Sequence, residues 1–343
     1  MTAAASIPAV DPLDALPSVA TARATGLQDF DALLERAEPI VLKGAIDHWP
    51  ALAAAAQSPA AFDAYLLERD CGAPAPVMEA PRSSGGRFGY AADPREFSFT
   101  KRMRPLGETL ARIARARSDS AAAYLAIQML PLDTQMPAFV RDNPMPLVPA
   151  GARPKLWLGG PVKTQIHNDR DHNLACVVAG HRRFVLFPPE QVANLYIGPL
   201  DNPPPLSFVD PEAPDLDAFP RFRLALGAAR VAHLGPGDVL LMPRYWWHHV
   251  TSRDPYNAMV NYWWGDSPAG LGDPYDAFLT ALLALQTLPP QGRAYWQAMF
   301  EAHVFGDEGA AHIPPAARGI LGAMTPAQRT ALKQRLRTAI LKT

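Results

Sequence analysis

The sequence predicts a mainly β protein with flanking helices: a sandwich or barrel of short strands, followed by a helical C-terminal segment. Three observations carry this. Between Tyr124 and Trp264 short apolar runs recur between Gly and Pro turns: YLAIQML, KLWLGG, TQIHND, LACVVAG, RRFVLFPP, ARVAHLGPGDVLLMP, WWHHVTS and NAMVNYWW. Some of them, Arg183–Phe187 and Val239–Met242, are apolar on both faces, as in a sheet covered on both sides. The chain holds 37 prolines in 343 residues, about twice the usual share of ~5%, which favours turns over a helical bundle.

The elements follow in order. Residues 1–27 read as a loosely structured Ala/Pro arm. Asp29–Ala37 reads as a helix, and PIVLKGAIDHWP as a strand (Ile40–Lys43) and a turn. Ser58 and Pro59 form a cap and first-turn proline that open a helix to about Glu68. Residues 82–99 are glycine-rich and aromatic, fitting either a mobile flap or a hairpin. Leu106–Ala116 is helical in pattern, and beyond Gly265 the chain reads as helix to its end. TPAQ at 325–328 is a capping box, and Leu332, Leu336 and Ile340 continue it as an apolar stripe. The expected division is an arm (1–27), a main domain (28–265) and a C-terminal helical region (266–343).

Composition limits the function classes. The chain is 48% hydrophobic with a net charge of −1, enough for a large core and without a global pull toward nucleic acid or an anionic membrane. The basic residues of the last helix (Arg329, Lys333, Arg335, Arg337, Lys342) read as a solvated face. Cys71 and Cys176 lie in no CxxC pattern, which argues against a disulfide framework or a thiolate zinc site. No signal-peptide pattern and no run of ~20 apolar residues is present, so a cytoplasmic protein is expected.

The densest chemistry lies in TQIHNDRDHN, Thr164–Asn173. On a strand alternate side chains share a face, so His167 and Asp169 point together and can bind one ion. His172 has the wrong parity unless the strand breaks first. Either His248 or His249 of WWHHV can complete the set, but not both. Two His and one carboxylate on one side of a metal form the facial triad of non-haem iron oxygenases. Asp171 and His172 fall at the expected mouth, where a solvated turn is the simpler reading.

With these motifs in hand, the chain resembles the JmjC/cupin-like 2-oxoglutarate oxygenases, in the branch typified by the asparaginyl hydroxylase called factor inhibiting hypoxia-inducible factor. The resemblance spans roughly residues 38–265 and rests on PIVLKGAIDHWP, YLAIQML, LWLGGPVKTQIHNDRDHNLACVVAGHRRFVLFPPEQ, FPRF, GPGDVLLMPRYWWHHV and VNYWW. It implies a double-stranded β-helix (jelly roll) and Fe(II) held by His167, Asp169 and His248, with His249 facing away. It implies that Thr164, Tyr124 and Arg182 hold the far carboxylate of the co-substrate 2-oxoglutarate. Arg182 stands where the family has Lys, a departure a bidentate guanidinium can accommodate; Arg183 is the fallback. Asn173 and Asn261 match amides lining the iron pocket and Trp263 an aromatic closing it. Trp246, Trp247 and Trp264 read as packing.

The implied reaction consumes O2 and hydroxylates a protein or peptide side chain, with succinate and CO2 as co-products. The rivals are a small-molecule substrate and a non-catalytic metal-binding cupin. Lysine demethylation ranks lower, since no reader domain accompanies the motifs. Neither nucleic acid nor membrane is an expected partner. Related oxygenases pair through C-terminal helices, so a homodimer is expected.

Overall fold

A computed structural model describes residues 11–24, 30–200, 204–265, 273–306 and 309–340. It divides into two compact units, one up to Gly265 and one from Asp266. The described part of the first holds fourteen strands and the helices that cover them: β1 (Ala20–Arg23), β2 (Ile40–Lys43), β3 (Ala75–Ala80), β4 (Arg87–Phe88), β5 (Thr100–Arg104), β6 (Tyr124–Pro131), β7 (Arg153–Gly159), β8 (Lys163–Asn168), β9 (His172–Ala179), β10 (Arg182–Phe187), β11 (Arg230–Leu234), β12 (Val239–Met242), β13 (Trp247–Ser252) and β14 (Asn257–Trp264). Nine of them make a large sheet in the order β1-β2-β12-β9-β14-β7-β6-β3-β5, and five a small one, β11-β10-β13-β8-β4. Pairing is antiparallel except for β1 with β2 and β4 with β8.

Strand parity explains the layers. On β9, Ala175 and Val177 face the space between the sheets, where Phe184 and Leu186 of the small sheet meet them. Leu174, Cys176 and Val178 face the other way, against Phe62, Leu66, Leu110, Ile113 and Phe139 from the covering helices. Behind the small sheet Val185, Phe187 and Trp247 pack on Phe222 and Ala225. Both sheets are therefore covered on both sides, as the apolar runs require. This is the jelly-roll architecture expected.

Two local expectations need correction, and a third had two readings of which the structure shows one. Residues 11–24 are not a loose arm: Leu13 is buried, and β1 extends the large sheet beside β2. Residues 1–10 and 25–27 of that arm lie outside the described residues. HWP is not only a turn, because Pro50 starts a helix, Pro50–Gln57, that precedes the one capped by Ser58. Proline at a first helical turn costs nothing, since that N–H has no helical partner. Segment 82–99 is a closed hairpin: Tyr90 bridges Phe97, and the Tyr90 amide donates to Gln165 Oε1 at 2.8 Å. Gly89 permits this closeness, since a Cβ there would sit 1.8 Å from Gln165 Oε1.

The second unit is helical, with helices Pro274–Leu285, Pro290–Phe300 and Pro326–Ile340. Its capping box forms: Thr325 N donates to Gln328 Oε1 at 2.8 Å, and Gln328 N to Thr325 Oγ1 at 3.3 Å. The stripe behind it is only partly covered, for Leu336 is 51% exposed; the Ile340 side chain lies outside the described residues. No described helix is long and apolar enough to cross a membrane.

Candidate active site

His167 is the last residue but one of β8 and His248 the second of β13, directly opposite in the ladder. Their rings lie 4.2 Å apart, and His248 Nε2 is 3.9 Å from Asp169 Oδ2. One donor atom from each of the three residues falls within 4.8 Å of the others. A single ion with metal–ligand bonds of about 2.1 Å bridges donors up to about 4.2 Å apart, a limit the 3.9 Å between His248 and Asp169 meets.

The hydrogen bonds prepare these groups for a metal. His167 Nδ1 lies 2.9 Å from the carbonyl of Gln165, and His248 Nδ1 lies 3.1 Å from that of Trp246. A carbonyl only accepts, so each Nδ1 carries the proton and each Nε2 keeps its lone pair. Burial first, then the neighbouring His167, pushes His248 down to about 4, so it is neutral near pH 7. Asp169 is past the end of its strand and is held separately. Its carbonyl accepts from Tyr245 N at 2.9 Å, and its Oδ2 accepts from Asn173 Nδ2 at 3.1 Å. Asn261 Nδ2 donates in turn to Asn173 Oδ1 at 2.6 Å. These two amides orient the carboxylate; they are more than pocket lining.

The triad opens on a cavity of about 310 Å³ between the sheets. Thr164, Arg182, Asn173, Asn261 and Trp263 line it, as does Asp171. Thr164 and His167 are three residues apart and would face opposite ways on a regular strand. A bulge resolves this: Gln165 and Ile166 together oppose His249, and the extra residue resets the parity. Arg182 is buried and forms no ion pair among the described residues, and its Nε has no hydrogen-bond partner. Burial lowers it to about 10, so it stays cationic. A buried unpaired charge is costly, which makes this a ready seat for an anion.

Several residues go elsewhere. Tyr124 does not line this cavity: at the start of β6, opposite Ala80, it lines a separate one, with the Arg82 guanidinium 4.6 Å from its ring centroid. Arg183 has opposite parity to Arg182 and faces outward, as does His249, whose Nε2 is 3.7 Å from Glu212 Oε1. His172 is not in a solvated turn; it is buried and stacked on Trp264 with centroids 5.6 Å apart. Trp246, Trp247 and Trp264 are packing residues.

Sequence reading missed Met129, Trp157, Phe184, Val250 and Met259 as cavity residues. Parity would have found Phe184 from Arg182, Val250 from His248, and Met259 from Asn261 and Trp263. Nothing would have found Met129, which enters through a β6 bulge at φ 60°, a left-handed conformation unusual outside glycine.

A two-sheet jelly roll with a His-Asp-His triad at one wall defines a JmjC/cupin-like protein. The chain belongs to the family described as cupin-like domain, which matches residues 27–270. It is 39% identical over 117 residues to HSPB1-associated protein 1 of Homo sapiens, covering 33% of this chain and 24% of that protein. It is 30% identical over 149 residues to lysine-specific demethylase JMJ31 of Arabidopsis thaliana, covering 43% and 26%. It is 29% identical over 282 residues to Jumonji C domain-containing protein 5 of Drosophila melanogaster, covering 76% and 64%. The chain thus spans about a quarter of the length of the first two.

Proposed function

We propose that this protein is an Fe(II)- and 2-oxoglutarate-dependent oxygenase that hydroxylates a protein or peptide side chain. The observation that carries the reading is one cavity with a metal triad on one wall and an unpaired buried guanidinium on another. His167, Asp169 and His248 would hold the iron through two Nε2 lone pairs and a carboxylate. Bound with 2-oxoglutarate and O2, the iron would supply the oxidising power that places oxygen on a substrate C–H, with succinate and CO2 as co-products.

The chain's own residues do the rest. Arg182 and Thr164 grip the far carboxylate of the co-substrate, the guanidinium by charge-assisted hydrogen bonds. Asn173 and Asn261 keep Asp169 aimed at the ion. Trp157, Phe184, Met259 and Trp263 exclude water from the cavity.

The test is to add 2-oxoglutarate to the Fe(II)-loaded protein without oxygen and record the visible charge-transfer absorption. Its absence would favour a metal-binding cupin that is not an oxygenase. A second reading is lysine demethylation, supported by the name of the Arabidopsis relative. The two part on product: a peptide gaining one oxygen atom supports hydroxylation, whereas release of formaldehyde from a methylated lysine supports demethylation. Exposed apolar side chains of the second unit, Phe278 and Leu283 among them, support a homodimer.

A further inference from the structure

Behind the small sheet, on the face away from the cavity, one carboxylate collects partners from three strands. Glu212 Oε1 accepts from Arg183 Nη2 of β10 at 2.6 Å and from Thr251 Oγ1 of β13 at 3.0 Å. Its Oε2 pairs with Lys163 Nζ of β8. His249 Nε2 lies 3.2 Å from Thr251 Oγ1, which donates onward to Glu212 and therefore accepts from the imidazole. Glu212 is itself fixed, its amide donating to Asp210 Oδ1 at 3.0 Å, while Asp210 pairs with Arg87 of β4.

Each of these partners is the chain neighbour of a cavity residue. Lys163 precedes Thr164, Arg183 follows Arg182, His249 follows His248, and Thr251 follows Val250. Alternation along a strand puts one member of each pair on either face. Holding the outer members at one carboxylate therefore sets how far apart the inner members stand. Glu212 lies on a loop far from these strands in sequence, and it touches neither the cavity nor the triad.

We infer that Glu212 is a positioning residue for this site: by clamping β8, β10 and β13 from outside, it sets the spacing of Thr164 and Arg182 relative to His248. This rests on the co-substrate reading of Thr164 and Arg182 proposed above. Arg183 also pairs with Asp11 and Asp14, so it keeps compensation when Glu212 is changed. Glu212→Gln retains an oxygen for Arg183 and Thr251 but turns an amide N–H2 against the Lys163 ammonium. It thus releases β8 alone. Lys163→Met removes the same contact from the other side.

The experiment uses the full chain loaded with Mn(II) and reads 2-oxoglutarate binding by calorimetry, with Mn(II) affinity, thermal melting and amide hydrogen exchange beside it. Each single variant is expected to weaken 2-oxoglutarate about tenfold, the scale for residues supporting a ligand from behind. The double variant should be no worse than either single, Glu212→Asp should restore most of the affinity, and Mn(II) affinity should hold. Exchange should quicken at Lys163–His167 and not at His172–Ala179. Wild-type 2-oxoglutarate affinity in Glu212→Gln, additive single effects, or equal loss of Mn(II) binding and cooperative melting would each overturn the inference. If the wild type binds Mn(II) but not 2-oxoglutarate, the oxygenase reading fails instead. Exchange then decides the clamp, and equal rates in wild type and Glu212→Gln would overturn it.

Discussion

Arg182 and Arg183 are adjacent and both buried, yet their surroundings are opposites. Arg183 faces outward and meets three carboxylates, Asp11, Asp14 and Glu212. Arg182 faces the cavity and meets none among the described residues. The same contrast runs across the small sheet: on the outer face the buried cation has carboxylates beside it, though Arg183 Nε and His249 Nδ1 lack hydrogen-bond partners, and on the inner face it has none among the described residues. A folded chain pairs its buried charges unless something else is to pair them. The unsatisfied face is where ligands belong.

The largest effect expected is at the triad. Asp169→Ala should reduce succinate formation to background with little change in melting temperature; wild-type succinate output from that variant would break the contrast at its centre. Next come the two arginines, with stability effects of opposite sign. Arg183→Met removes the buried guanidinium shared by three carboxylates, of which Asp14 keeps Arg253 and Glu212 keeps Lys163, and should destabilise the fold by about 1–3 kcal/mol in urea unfolding. Arg182→Met removes an uncompensated charge, so it should leave stability level or raise it by about 1 kcal/mol. It should also raise the 2-oxoglutarate requirement about a hundredfold, the worth of a ~2–3 kcal/mol charged hydrogen bond. Matching stability losses in the two variants would show that the faces are not distinct.

Acid sharpens the comparison. His249 first, and Lys163 next, hold the Glu212 carboxyl well below its ordinary 4.5. A carboxyl lowered by folding stabilises at pH above its unfolded value, and that stabilisation is lost as pH falls below it. The stability gap between wild type and Glu212→Gln should therefore be full near pH 7 and narrow below about 4.5. A gap independent of pH in urea melts would show that this ion pairing does not contribute. The smallest effect expected is Tyr124→Phe: with Tyr124 in a separate cavity, calorimetric affinity for 2-oxoglutarate should change less than about twofold.

Much of the fold was legible. Ile40–Lys43 and Leu106–Ala116 appear where the pattern put them, because propensity, capping and burial agree there. Turn chemistry hid the helix at Pro50, and an Ala-rich texture hid β1, whose place comes from pairing with β2 rather than from its own side chains. The site was legible to the extent that alternation holds. His167 and Asp169 converge as read, although Asp169 lies past the end of β8, whereas Thr164 reaches the cavity only through a bulge that no residue pattern announces.

Composition, alternation and spacing thus determined the two-sided strands and the residues able to bind an ion. They also determined that only one of two adjacent residues, His248 or His249, could face it. The tertiary structure alone decided that Arg182 and not Arg183 faces the cavity, that Tyr124 lies outside it, and that Glu212 sits behind three strands. Local geometry reaches only a few residues along the chain. Which face of a sheet becomes the inside, and which distant loop closes its outside, depends on contacts that exist only once the strands have paired.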